Sequence, residues 1–141
     1  MRAPPSGRQA ADVAIRCLLV DDNDRFLGVA RAVLEREGIV VSGVASTIAE
    51  ALAQTERLCP DVALIDVDLG GESGFDLVER LAELPPSWRP STILTSSYAE
   101  ADFADVIASC PAAGFVTKPE LSGSAIEQVL GAAGDGPAGG G

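Results

Sequence analysis

The sequence predicts an α/β domain in which a doubly wound, five-stranded parallel sheet is covered by five helices. Three observations predict it. Short apolar runs alternate with segments whose apolar residues recur at helical spacing. The runs are apolar throughout rather than alternating, as in strands covered by helices on both faces. Strand and helix follow one another along the chain, the order that right-handed βαβ crossovers require.

Each element has its own justification. Ile15 to Val20 is the first apolar run, ending in Asp21 and Asp22. Phe26, Ala30, Val33 and Leu34 then recur at helical spacing, and Gly38 supplies a stop. Ile39 to Val44 reads as the second strand. Thr47 and Glu50 form a capping-box pattern that opens a helix with Ile48, Ala51, Leu52 and Thr55 on one face, ended by Pro60. Val62 to Ile65 is the third strand, closed by Asp66. A loop with Gly70, Gly71 and Gly74 leads to a helix that turns Leu77, Val78, Leu81 and Leu84 inward.

Pro85, Pro86 and Pro90 break the chain, with Trp88 on that loop read as a lid over the sheet edge. Thr92 to Leu94 is the fourth strand, closed by Thr95, Ser96 and Ser97. Ser97 and Glu100 repeat the capping-box pattern, with Phe103, Val106, Ile107 and Cys110 as a buried stripe. Gly114 to Thr117 is the fifth strand, running into Lys118 and Pro119. Ser122 caps a last helix that carries Ala125, Ile126, Val129 and Leu130. The ordered body is expected over residues 14–132, with a disordered lead-in at 1–13 and a disordered glycine-rich tail at 133–141.

Composition narrows the chemistry. The chain has no histidine, which excludes Ser-His-Asp and Cys-His catalysis and a phosphohistidine of its own. After residue 16 there are 7 basic and 20 acidic side chains. That surface repels phosphate backbones and anionic lipid, so nucleic acid and membranes are poor partners. Cys17, Cys59 and Cys110 have no metal-ligand spacing and lie in apolar stretches, so they are expected to be buried free thiols of a reducing, cytoplasmic compartment. Neither a secretory leader nor a membrane-spanning apolar run is legible.

The polar residues gather at the C-terminal ends of strands: Asp21 and Asp22, Asp66, Thr95, and Lys118. In an open parallel sheet the ligand crevice lies outside those ends. Carboxylates a few ångströms apart raise one another's pKa unless a cation intervenes. Mg²⁺, which takes one or two carboxylates and completes its shell with water and phosphate oxygen, resolves the conflict. Lys118, the one lysine among ten basic residues, can clamp a carboxylate or a phosphoryl group, and Thr95 offers a hydroxyl. The set suits phosphoryl transfer with a carboxylate nucleophile.

VDDND at 20–24, LIDVDLGGESGFDL at 64–77, ILTSS at 93–97 and GFVTKP at 114–119 resemble the receiver domain of bacterial two-component response regulators. The resemblance implies a flavodoxin-like (βα)5 fold with strand order 2-1-3-4-5. It makes Asp66 the phosphoacceptor, served by a sensor histidine kinase or a histidine phosphotransfer protein. Asp22 would bind Mg²⁺ directly, Asp21 mainly through water, and Asp66 and the backbone carbonyl of Asp68 would complete the protein ligands. Lys118 would contact the phosphoryl group, Thr95 would swing toward it, and Phe115 would turn inward as Thr95 moves. Output would reach a protein target through the face of the fourth helix, fifth strand and fifth helix. The chain is expected to be a stand-alone switch, monomeric or weakly dimeric, with a receiver fragment of a longer regulator as the alternative, and to be no conventional enzyme although it would promote its own phosphorylation and dephosphorylation.

The sequence departs from the family where Gly70 and Gly71 replace a frequent proline, predicting a more mobile loop, and Asp68 adds an acid beside the acceptor. Two rival readings exist. A pseudo-receiver would bind partners without phosphorylation. A small phosphatase would use Asp66 and Asp68 as a DxD pair, but there the DxD strand comes first, whereas Asp21 and Asp22 come first here.

Overall fold

Residues 14–98 and 100–135 are described by the computed structural model of the chain. Five strands alternate with five helices: β1 (Arg16–Val20), α1 (Asp24–Arg36), β2 (Val40–Ala45), α2 (Ile48–Leu58), β3 (Val62–Asp66), α3 (Gly74–Ala82), β4 (Ser91–Ser96), α4 (Ala104–Ala108), β5 (Gly114–Thr117) and α5 (Gly123–Asp135). The strands pair in parallel in the order β2-β1-β3-β4-β5, the doubly wound arrangement expected.

Alternation along the buried strands builds two cores. Leu18, Val20, Ala63, Ile65 and Leu94 pack with Ile48 and Ala51 of α2 and with Leu77, Val78 and Leu81 of α3. Cys17, Leu19, Val62, Leu64 and Ile93 pack with Ala30 and Leu34 of α1 and Ile126 of α5. Each fully buried Leu or Ile contributes roughly 2 kcal/mol. A one-residue slip would exchange the two sets, so the register that aligns the strand ends is strongly specified.

The caps follow the sequence with one variation. Asn23 caps α1 by accepting from the Phe26 N–H, and Ser122 accepts from the Ala125 N–H at the start of α5. The α1 end is closed by Gly38 N–H to the Glu35 carbonyl and Ile39 N–H to the Leu34 carbonyl. Thr47 accepts from the Glu50 N–H, but Glu50 reaches back to Ser46 instead of Thr47, so only half of the expected box forms. The Ser46 N–H and hydroxyl both donate to Glu50 Oε1 and hold its carboxyl below the ordinary pKa. Arg16 donates to the Leu58 and Cys59 carbonyls and closes the C-terminus of α2.

Several expectations are corrected. β2 lies one residue later than Ile39–Val44, and β4 takes in Thr95 and Ser96 rather than stopping at Leu94. The fourth helical segment begins as a 3-10 turn over Glu100–Phe103, followed by only five α residues. Within it Val106 is 45% exposed, so the expected buried stripe reduces to Phe103, Ile107 and Cys110, all half-buried. Capping by the Glu100 side chain lies outside the described residues. Trp88 is 47% exposed on a 3-10 turn.

Of the cysteines only Cys17 is buried; Cys59 is exposed and Cys110 intermediate, all three free. Cys59 sits at the C-cap of α2 in the left-handed conformation, with φ of 47° and its N–H on the Thr55 carbonyl. The last helix continues to Asp135, past the expected end at 132. The expected lead-in at 1–13 and the tail from 136 lie outside the described residues. No helix among the described residues is long and apolar enough to cross a membrane.

Candidate functional site

The parallel sheet brings together residues far apart in sequence. Asp21 follows β1, and its N–H still pairs with the Ala45 carbonyl, continuing the strand to the rim. Asp66 ends β3 in register with Thr95 of β4, and Lys118 follows β5. Asp21 is 2% exposed, Asp66 7% and Thr95 1%, while Asp22 stands at the surface. One carboxylate oxygen from each of Asp21, Asp22 and Asp66 lies within 4.8 Å of the others.

Lys118 holds two of them. Its Nζ lies 2.8 Å from Asp66 Oδ2 and 2.8 Å from Asp21 Oδ2. The ammonium also lies 4.4 Å from the centroid of the Phe26 ring. The remaining oxygens are fixed by the backbone: Asp66 Oδ1 accepts from the Asp68 N–H at 2.9 Å, and Asp21 Oδ1 from the Asn23 N–H at 2.8 Å.

Burial, more than mutual repulsion, sets the electrostatics. It pushes the Asp21 carboxyl above its ordinary pKa; Lys118 and the Asn23 N–H pull it back only in part, and the charge of Asp66 adds to the rise. For Lys118 burial opposes the charged form. The hydrogen bonds and fields of Asp21 and Asp66 together outweigh that and hold its pKa above the ordinary value.

The cluster carries three carboxylates against one ammonium, and this residue set fits a hard cation. Asp21 Oδ2 is buried and shares the Lys118 ammonium with Asp66 Oδ2. A buried oxygen with only a shared donor, next to a solvent-facing carboxylate, is the kind of oxygen set that Mg²⁺ takes.

The segment after Asp66 forms a short hairpin. Asp68–Leu69 pairs antiparallel with Glu72–Ser73, and Gly74 N–H closes the base on the Val67 carbonyl at 2.9 Å. Asp68 Oδ1 accepts from the Gly70 N–H, which occupies one of its carboxylate oxygens. Gly70 has φ of +79°, and a Cβ there would stand 3.0 Å from Asp22 Oδ2. At Gly74 a Cβ would fall 2.0 Å from the Asp66 carbonyl oxygen, so only glycine fits beside the end of β3.

A cleft of about 420 Å³ opens over the cluster. Asp22, Asp66, Asp68 and Lys118 line its polar side, and Val67, Phe75, Tyr98 and Phe103 its apolar side. Ser96 and Ser97 are on its wall; Thr95 is not among the lining residues and is buried behind them. Phe75, Phe103 and Phe115 form a row with successive centroids 6.1 Å apart, so Phe115, half-buried on β5, connects through two rings to the cleft.

Six of the seven residues singled out from the sequence therefore lie at or next to one rim, and Phe115 is joined to it through Phe103. Those not foreseen in a site role are Phe26, Asn23, Phe75, Phe103 and Gly74. Phe26 and Phe103 were visible only as apolar helix positions, and Asn23 only as part of an acidic motif.

A family model described as the response regulator receiver domain matches residues 17–130. The response regulator GacA of Pseudomonas viridiflava is 31% identical over 105 residues, covering 74% of this chain and 48% of that protein. A putative transcriptional regulator of Pseudomonas aeruginosa is 30% identical over 105 residues, covering 74% of this chain and 50% of that protein. The chain thus spans about half the length of these relatives. Among solved structures, a CheY-like receiver domain protein from Methanospirillum hungatei JF-1 superposes with a TM-score of 0.71 at 27% identity, covering 87% of this chain and 96% of that one. The receiver domain of the putative response regulator NarL from Mycobacterium tuberculosis gives 0.70 at 28% identity, covering 85% and 96%.

Proposed function

This chain belongs to the response regulator receiver domain family, and on that premise we propose that it is a signalling switch that accepts a phosphoryl group on Asp66 with the help of Mg²⁺. The observation that carries the reading is the environment of one carboxylate. Asp66 is nearly buried at a strand end, has Lys118 Nζ 2.8 Å from Oδ2, and shares its rim with Asp21 and Asp22.

In the transfer an oxygen of Asp66 attacks phosphorus as the bond from phosphorus to the donor's imidazole nitrogen breaks. The electron pair of that bond leaves with the imidazole. Asp22 directly, Asp21 mainly through water, and Asp66 with the Asp68 carbonyl would hold Mg²⁺. When bound, the ion neutralises charge on the phosphoryl oxygens. Lys118 already sits on the acceptor, so no long movement is needed for its ammonium to meet the arriving phosphoryl group. The Asp68 N–H on Asp66 Oδ1 keeps the acceptor carboxylate from turning. The donor is a phosphohistidine on a sensor kinase or phosphotransfer protein, consistent with a chain that has no histidine of its own.

Phosphorylation biases a two-state element by giving one state new charge-assisted bonds. Thr95, buried behind the rim, is the hydroxyl drawn toward the phosphoryl group, and Phe115 responds from the neighbouring strand. Phe115 also lines a cleft of about 400 Å³ with Glu120, Ala125 and Val129 of the β5–α5 side, and that face is the one offered to a downstream protein in the cytoplasm.

Incubation with Mg²⁺ and a small phosphodonor tests the reading. A mass gain of one phosphoryl group is expected, lost in Asp66→Asn and on chelation of the metal. No gain at any donor concentration would contradict it and leave a phosphorylation-independent binding module.

A further inference from the structure

We infer that Glu72 is a positioning residue for the metal site, setting the Asp68 backbone carbonyl by anchoring the acceptor loop to the N-terminus of α2. The inference rests on the reading of Asp66 and its neighbours as a Mg²⁺-assisted phosphorylation site. Among the described residues Glu72 makes no hydrogen bond or ion pair to the side chains of those groups. Its Oε1 accepts from the Ile48 N–H at 2.8 Å, and Ile48 is the first residue of α2.

The first amides of a helix have no partner inside the helix, and they prefer an anion. Thr47 serves the Glu50 N–H, and Glu50 itself turns outward to Ser46, leaving the Ile48 N–H to a carboxylate from a different part of the chain. Glu72 supplies it from the second arm of the short hairpin whose first arm is Asp68–Leu69. The hairpin is thereby held at three places. Gly74 N–H closes its base on the Val67 carbonyl, Leu69 is buried in the core with Ile48, and Glu72 fixes the arm paired with Asp68.

Asp68 pairs with Ser73, the neighbour of Glu72, so displacement of that arm displaces the Asp68 carbonyl directly. The loop therefore has a set geometry although Gly70 and Gly71 stand at its tip. The same hydrogen bond couples the site to α2. By linkage, whatever tightens the loop must tighten the Ile48 amide to the same extent.

The test compares Mg²⁺ affinity and the Ile48 amide in the full chain and in two variants. Glu72→Ala removes the acceptor and the charge, while Glu72→Gln keeps an acceptor oxygen and removes only the charge. Calorimetric titration is expected to show about tenfold weaker Mg²⁺ binding for Glu72→Ala, the low end of what outer partners of metal ligands cost, and near-original affinity for Glu72→Gln. In the unmodified chain, Mg²⁺ should slow hydrogen exchange at the Ile48 amide, and that slowing should vanish in Glu72→Ala. Equal affinity in Glu72→Ala and the unmodified chain would overturn the inference, as would equal weakening in both variants, which is the signature of charge alone. A failure of the underlying reading shows elsewhere, in the unmodified chain: no Mg²⁺ binding there removes both the reading and the inference.

Discussion

Replacing Lys118 by methionine keeps most of the side chain's volume and removes its charge from between two carboxylates. Each contact is 2.8 Å, worth about 6 kcal/mol of Coulomb energy at an effective dielectric of 20. Desolvation of the three groups cancels much of that, and breaking a buried pair by removing one partner costs about 3–5 kcal/mol in practice. The Lys118 side chain keeps 14% of its surface in water, so the lower figure, about 3 kcal/mol, is expected without metal.

The loss should depend on pH in a definite sense. Burial already raises the Asp21 carboxyl above its ordinary value of 3.8, and losing the ammonium raises it further. A carboxyl whose folded-state pKa lies above its unfolded one gives stability that is present at low pH and lost as pH rises through the folded value. The variant should therefore recover toward the original chain as pH falls through the raised Asp21 value. Millimolar Mg²⁺ should stabilise the variant more than the original chain, because it replaces the missing positive charge. Urea unfolding at several pH values, with and without Mg²⁺, measures all of this. A variant within about 0.5 kcal/mol of the original at every pH would refute the argument that Lys118 balances two buried carboxylates.

Other expectations follow from single contacts. Gly74→Ala places a methyl carbon against the Asp66 carbonyl and should cost about 2–3 kcal/mol, with phosphorylation reduced beyond what the unfolded fraction explains; a melting curve beside a mass measurement separates the two. Phe26→Leu removes the ring 4.4 Å from the ammonium and should cost about 1 kcal/mol, measurable as a lower unfolding midpoint. That difference should disappear when the same change is made in Lys118→Met. Thiol labelling should modify Cys59 quickly and leave Cys17 untouched in the folded chain, because burial pushes the Cys17 thiol up to about 12; rapid reaction of Cys17 would contradict its place in the core.

The fold was legible because strands buried on both faces write themselves as unbroken apolar runs: Cys17 to Val20 and Val62 to Ile65 leave no other economical reading. The site was legible for a related reason, since a parallel sheet aligns the ends of its strands and Asp21, Asp66, Thr95 and Lys118 each stand at one. Periodicity failed where residue type and direction part company. Val106 has the chemistry of a core residue but faces solvent on a helix of five residues, and Cys59 sits in an apolar stretch whose last turn opens to water. Contacts made across the fold left no local trace. Phe26 against Lys118, Glu72 on the Ile48 amide and Gly74 beneath Asp66 join segments that spacing alone does not connect.

The central claim is that Asp66, among four neighbouring aspartates, takes the phosphoryl group. After incubation with Mg²⁺ and a phosphodonor, borohydride reduction converts an aspartyl phosphate to homoserine, and peptide mass analysis locates it. Homoserine at position 66 is the predicted result. Homoserine at position 21, 22 or 68, or at none of them in a chain that has gained phosphoryl mass, would contradict the assignment.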